Sequence, residues 1–168
     1  MNKLIIHLTL MAASIACGQT PSPSESPAAK PSFYIGEYIA CVLLFTVASA
    51  PTKVKTPVTG IVENAVYQDG KVVVPQGTVV TCVVDQPLAL RDRILVEGTW
   101  HLTYPDGTDG IAFDGVVLDR ESVEDANNHY FGPEDGSAGL RGSITGTERF
   151  VRVNSGKPFY IFVTRTNT

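Results

Sequence analysis

The sequence predicts an all-β domain, and three features support this. The chain has 168 residues, of which 43% are hydrophobic and 18% charged, a balance typical of a packed domain rather than a disordered one. Its 15 Gly and 11 Pro, with frequent Val and Thr, indicate many strands and turns. No helical periodicity follows Pro51. This length accommodates one domain with short appendages.

The segment from Gly36 to Val84 carries the clearest turn signals. Asp69-Gly70 lies between strand-like runs and predicts a tight hairpin, because Gly accepts the positive φ that such a turn requires. Pro75-Gln76-Gly77 predicts a corner, since Pro75 lacks a backbone donor and cannot continue a central ladder. We therefore expect several strands in this segment.

The segment from Phe33 to Ala50 has two interpretations. Its only charge is Glu37, which would suit a transmembrane helix. The uncharged run from Tyr38 to Ala50 is shorter than the roughly 20 residues a spanning helix needs, however, and it is rich in β-branched and aromatic residues. We favour a buried strand.

A second hairpin is predicted in the middle of the chain. Apolar residues alternate with polar or small ones from Ile94 to Tyr104, and Pro105-Asp106-Gly107 then turns the chain. The returning run has Ile111, Phe113 and Val117 on one face. Trp100 and Phe113 are expected to meet across this hairpin.

These motifs follow an order that resembles the barrel domain of the TrbI-like family, scaffold proteins of type IV secretion and conjugation channels. The matching segments include Val66-Tyr67 to Gly70, Pro75 to Thr78, Tyr104 to Gly107, Asn127 to Gly132, Ala138 to Gly142, and the closing hairpin from Gly156 to Arg165. The resemblance implies a single small β-barrel over residues 33–168.

The resemblance also implies a function. The chain would be a structural subunit of a cell-envelope secretion or conjugation apparatus, would associate with itself and with other secretion-system envelope proteins, and would be neither an enzyme nor a cofactor binder. Two features depart from the family pattern. Family members begin with a cytoplasmic tail and a membrane helix, and they carry a two-helix pore insertion, for which Gly142 to Phe150 leaves no room.

The N-terminus predicts export. Residues 1–16 have a short positive start and an apolar run of signal-peptide length. Ser14-Ile15-Ala16-Cys17 resembles a bacterial lipoprotein box, which would place a lipid on Cys17; ordinary cleavage after Ala16 is the alternative. Residues 17–32 are rich in Pro and Ser and predict an extended tether. We expect a location on the periplasmic face of the envelope, anchored to the outer membrane.

Two further cysteines, Cys41 and Cys82, lie in predicted strands. An oxidising compartment would permit a disulfide between them. Two separate buried thiols are the alternative, because sequence spacing does not reveal whether their Cα atoms lie within the roughly 7 Å that a bridge requires.

The charge distribution bears on partners. A net charge of −4 argues against direct nucleic-acid binding, which needs a basic field. Nine acidic residues and only Arg120 among basic ones occur between Asp106 and Asp135, whereas basic residues dominate from Arg141 onward. We call the acidic segment and the basic segment the two flanks. They are either solvated faces of the domain or surfaces through which copies meet head to tail in a ring.

Few residues suggest catalysis, metal binding or ligand binding. Asp106-Gly107-Thr108-Asp109-Gly110 resembles part of a calcium loop but is more simply a turn, and His101 is expected to be exposed. A hydrolase would use His129 with Asp125 or Asp135. A module binding a glycan or peptide would use Tyr130 and Phe131. No zinc-type spacing and no nucleophile motif is found, so neither catalytic nor metal-binding residues are assigned.

Overall fold

A computed structural model describes residues 33–50, 52–124, 138–146 and 150–166. Its strands, in chain order, are β1 (Tyr38–Leu43), β2 (Val47–Ala48), β3 (Thr56–Val62), β4 (Val66–Gln68), β5 (Lys71–Val74), β6 (Val79–Val84), β7 (Ala89–Leu90), β8 (Arg93–Ile94), β9 (Glu97–Thr103), β10 (Phe113–Asp119), β11 (Leu140–Arg141), β12 (Ser143–Thr145), β13 (Phe150–Val153) and β14 (Pro158–Thr166). A short helix, α1 (Arg120–Glu124), follows β10.

Six of the strands close into an antiparallel barrel in the order β1-β14-β10-β9-β6-β3. The first strand closes the barrel by pairing with β14 on one side, where Cys41 lies opposite Phe159, and with β3 on the other, where Cys41 lies opposite Val62. Smaller sheets, β11-β8-β7, β12-β13-β2 and β4-β5, are attached to it. The predicted all-β class and small barrel are confirmed.

Both predicted turns in the first half are confirmed. Asp69 and Gly70 have φ values of 49° and 74°, as a type I′ hairpin between β4 and β5 requires. At the Pro75 corner, Gly77 has a φ of 84° and the Thr78 hydroxyl donates to the Pro75 carbonyl at 2.7 Å. The chain thereby turns from β5 into β6.

The segment from Phe33 to Ala50 forms β1 and β2. Alternate residues of β1 are buried and half-buried, as expected of a barrel strand. The membrane-helix interpretation is therefore wrong for this segment. Within the described ranges, no helix has the length and apolar character needed to cross a bilayer.

Large side chains fill the barrel. Trp100, Phe113 and Phe159 are fully buried, and the ring centroids of Trp100 and Phe159 are 6.3 Å apart. Trp100 and Phe113 lie directly opposite each other across the β9–β10 pair, as predicted, and the Trp100 indole N–H donates to the Gly115 carbonyl at 3.2 Å. The buried indole thus has a hydrogen-bond partner.

The strand β10 is buried on both faces, which the alternating pattern did not predict. The pairing of β10 with β14 shifts between Asp114 and Gly115, so the strand contains an irregularity at that point. Beyond it, Val117 faces the main core. Val116 and Leu118 belong instead to a second apolar cluster, against Val123 of α1 and the partly buried rings of β1 and β14.

Candidate functional site

The two ends of the barrel differ in construction. At the first, which we call the plain end, a turn over residues 104–112 joins β9 to β10 and the β4–β5 hairpin joins β3 to β6. At the second, the elaborated end, β10 finishes and β14 begins. The small strands β2, β7, β8, β11, β12 and β13 and the helix α1 all belong to connections at this end.

A buried carboxylate organises the elaborated end. Asp119, the last residue of β10, is fully buried, and its Oδ2 accepts hydrogen bonds from the Ser122 hydroxyl at 2.9 Å and the Ser122 amide at 3.2 Å. This is N-capping of α1, and it holds the helix against the barrel. The other oxygen, Oδ1, lies 3.6 Å from Lys157 Nζ. Lys157 immediately precedes β14, so the ion pair ties the two ends of the β10–β14 connection together.

Further polar contacts extend from this carboxylate. Lys157 Nζ also lies 2.8 Å from Glu121 Oε1. Arg93 Nη2 donates to the Ser122 hydroxyl at 2.8 Å. These contacts join α1 to β8 as well as to the closing hairpin.

Beside this network lies a basic pocket of about 280 Å³. Residues from both strands of the β12–β13 hairpin and from the turn that precedes β14 line it: Arg141, Gly142, Ser143, Arg152, Val153, Asn154 and Lys157. Ser143 lies directly opposite Arg152 in the hairpin, and both are exposed, whereas Val153 is buried. The pocket therefore has three cationic groups around its opening and an apolar residue in its wall.

The cationic side chains of the pocket differ in how far they are paired with carboxylates. Arg141 Nε lies 3.3 Å from Asp92 Oδ2, with both side chains 43% exposed. Lys157 is only 19% exposed and has two carboxylate partners. Arg152 is exposed, and within the described residues it has no ion pair. Arg152 and half-exposed Arg141 are the groups most accessible to an anion.

At the plain end, the turn after β9 presents carboxylates to solvent. Asp106 Oδ1 accepts hydrogen bonds from the Thr108 hydroxyl at 2.7 Å and the Thr108 amide at 2.9 Å. These bonds lower the pKa of Asp106, so its carboxylate is ionised and held in one orientation. Asp109 is exposed and makes a backbone bridge with Thr103.

The acidic and basic flanks predicted from the sequence partly pair within one molecule. Arg165 Nε lies 3.6 Å from Asp114 Oδ2, and Lys157 is paired with Asp119 and Glu121. Arg149 lies outside the described residues. Among the described residues of the two flanks, the Asp106 to Asp109 turn at one end and Arg141 and Arg152 at the other remain accessible to solvent.

Cys41 and Cys82 are both buried free thiols, and no disulfide joins them. They lie on β1 and β6, with β3 between, opposite Val62 and Val58 respectively. Two strand spacings and a four-residue offset along β3 separate them by well over the roughly 7 Å limit for a bridge. The structure therefore places the two thiols apart, each within the core. Burial, and secondly the charge of Asp114, raises the pKa of Cys82 to about 11.

The residues considered for chemistry lie apart or outside the described ranges. His101 is exposed on β9, as expected. In the part of the chain that the structure describes, no three His, Cys, Asp or Glu side chains are grouped to hold a metal. The hydrolase candidates His129, Asp125 and Asp135, the binding candidates Tyr130 and Phe131, and the lipidation candidate Cys17 all lie outside the described residues.

Sequence reasoning missed the network around Asp119. One local signal was present, because Asp119 and Ser122 have the spacing of an N-cap residue and the third helical residue. The contribution of Lys157 had no such signal, since it lies 38 positions later in the chain (157 − 119). Only the closed barrel brings these residues together.

Comparisons with known proteins found similarity among solved structures alone. No family model matches the chain, and no curated protein matches it. Among solved structures, the chain is similar to ComB10 of the Com type IV secretion system of Helicobacter pylori. The TM-score is 0.44 at 9% identity, over 79% of this chain and 87% of that chain. This degree of similarity assigns neither a family nor an activity.

Proposed function

We propose that the protein is a structural subunit of a bacterial cell-envelope secretion or conjugation apparatus of the type IV class. It acts by assembly with copies of itself and with other envelope proteins, and it performs no catalysis. Export through residues 1–16, a lipid on Cys17 and the tether over residues 17–32 hold it on the periplasmic face of the outer membrane. A lipid alone binds a membrane reversibly, so protein contacts complete the attachment.

The observation that carries this proposal is where the family-like motifs lie in the barrel. Asp69-Gly70 turns β4 into β5, the Pro75 corner leads into β6, and Pro105 to Gly107 turn β9 towards β10. The closing motif forms β14, which pairs with both β1 and β10. Motifs that are individually weak thus coincide in order with the chain reversals of one closed barrel.

In-cell cross-linking tests the proposal. The full chain with a C-terminal tag is expressed in its native bacterium, cross-linked in intact cells, and purified for mass spectrometry. We expect channel subunits of a secretion or conjugation apparatus among the cross-linked partners. When Cys17 is replaced by Ser, we expect the tagged protein to be lost from the membrane fraction. Recovery of cytoplasmic proteins alone, or of envelope proteins unrelated to secretion, would refute the assignment.

A further inference from the structure

The basic pocket has the properties of an anion site. Arginine presents a planar fork of donors that suits a carboxylate, and two guanidinium groups at one opening bind it more tightly than isolated surface charges do. Among the residues that the structure describes, Arg152 has no ion pair, and Arg141 has only the half-exposed Asp92 as a competitor. Ser143 and Asn154 supply neutral polar groups in the same wall.

The pocket is small for a cofactor or drug-sized ligand. Its volume of about 280 Å³ falls below the roughly 300 to 1,000 Å³ typical of such sites. A carboxylate side chain at the tip of a turn is smaller than such ligands. In the wall, the backbone of Gly142 lies so close to that of Arg152 that a Cβ at this position would clash with the Arg152 carbonyl oxygen.

The turn at the plain end has the complementary properties. It presents two exposed carboxylates, Asp106 and Asp109, and its two glycines, Gly107 and Gly110, keep its tip narrow. The Thr108 hydrogen bonds hold the Asp106 carboxylate in place, so little side-chain entropy is lost on binding. The charge of this turn is therefore complementary to that of the pocket at the opposite end of another molecule.

We propose that the Asp106 to Asp109 turn of one copy binds the Arg141 and Arg152 pocket of a second copy. This inference rests on the assembly role proposed above and names the surfaces that perform it. Because the two surfaces lie at opposite ends of the barrel, the contact is heterologous. Such contacts close into a ring or extend as a filament, according to the rotation between successive copies.

A charge-swap experiment tests this contact. The purified full chain is examined by sedimentation velocity over a range of concentrations and salt, with circular dichroism to verify folding of each variant. We expect reversible self-association that weakens as salt rises. Arg152→Glu and Asp109→Arg should each weaken the association at least about tenfold, since each places like charges in the contact. The double variant should restore it to within about threefold, because the opposite charges meet again.

Lys55→Glu is the matched control. Lys55 is exposed and precedes β3 at the same end of the barrel, and it does not line the pocket. This variant makes the same change in net charge as Arg152→Glu and should leave association unchanged. An equal loss in the control would show a general charge effect and overturn the proposed contact.

Three other outcomes overturn the inference: a wild-type chain that stays monomeric, single variants that associate normally, or a double variant that is not restored. Its failure is separable from failure of the proposed function. If the charge swap fails while secretion subunits are still cross-linked in cells, only the end-to-end contact is wrong. If the swap succeeds and no secretion subunit is captured, the apparatus assignment is wrong.

Discussion

Gly60 shows how closely single side chains determine the packing of the barrel. It lies in β3, and a Cβ at this position would come within 2.8 Å of the buried Phe159 ring and 3.2 Å of the Val42 carbonyl oxygen. The ring cannot move aside easily, because it packs against Trp100 in a filled core. A glycine is therefore needed here for close approach.

Gly60→Ala should lower the free energy of unfolding by about 1 to 3 kcal/mol, the usual cost of overpacking. Urea denaturation measures this. Phe159→Leu removes part of the ring that the new methyl would meet, so the double variant should be more stable than the sum of the two single effects predicts. Strict additivity of the two changes would contradict this explanation.

Asp119 provides a second test at the residue scale. Asp119→Asn retains an acceptor for Ser122 but removes the charge opposite Lys157, and it should cost roughly 2 kcal/mol, as for hydrogen bonds to charged groups. Asp114→Asn breaks the ion pair with Arg165, which is 74% exposed, and should cost less than about 1 kcal/mol. Thermal unfolding of both variants compares them, and equal losses would refute the special role of Asp119.

The buried thiols predict a loss of stability at alkaline pH. Cys82 has a pKa of about 11 in the folded chain, against an ordinary value of 9.0 for a cysteine thiol. Below pH 9 both states keep the proton and stability is unaffected. Between pH 9 and pH 11 the unfolded chain loses its proton while the folded chain keeps it, so the free energy of unfolding falls, by up to about 1.4 kcal/mol per pH unit.

Urea denaturation from pH 8 to pH 10.5 measures this fall. In Cys82→Ala, the free energy of unfolding should fall less steeply with pH than in the wild type. This difference in slope does not depend on how much stability the removal of the sulfur itself costs. Burial also raises the pKa of Tyr104. Tyr104 and the other titrating groups contribute equally to both proteins, so their effects cancel in the comparison. Parallel curves for the two proteins would show that the Cys82 thiol ionises equally in the folded and unfolded states.

At the scale of elements, the β4–β5 hairpin forms a sheet of its own at the plain end and packs on the main core through Val74. Its two strands pair with each other in a sheet of their own, and Gln68 Nε2 donates to Glu37 Oε2 at 3.1 Å. Gly70→Val places a β-branched residue at a φ of 74° and should destabilise this hairpin by about 1 kcal/mol or more. Hydrogen exchange should quicken in β4 and β5 and stay unchanged in β3 and β6. Equal acceleration throughout would mean that the hairpin is part of the cooperative barrel.

The sequence predicted those turns and strands that are determined by residues close together in the chain. Asp69-Gly70 and Pro75 act through their own backbone angles, and the alternation around Trp100 reports a single strand face. Small strands such as β2 and β11 at the elaborated end were not predictable, because these two-residue segments pair with strands far away in the chain. The β11 residues Leu140 and Arg141 pair with Ile94 and Arg93, far away in the chain. The basic pocket could not be located for the same reason, although its charges were noticed.

At the scale of the whole molecule, closure depends on strands from opposite ends of the described chain. The first strand, β1, lies between β3 and the last strand, β14, and pairs with both. Such pairing is long-range, and its closure entropy must be offset before the barrel gains stability. Closure also leaves the six barrel strands without free edges, which protects them from pairing with other chains.

This topology predicts that the chain tolerates loss of residues 1–32 but not loss of β1. Removing residues 1–32 deletes no barrel strand, so thermal unfolding should remain cooperative, with a midpoint close to that of the full chain. Removing residues 1–43 exposes the edges of β3 and β14, deletes the fully buried Ile39 and uncovers the fully buried Phe159. We expect this shorter chain to aggregate or to lack a cooperative transition.

Addition of a peptide of residues 33–46 should restore folding of this shorter chain, since it resupplies the missing strand, whereas a scrambled peptide should not. A cooperative transition in the shorter chain alone would contradict this dependence of folding on β1.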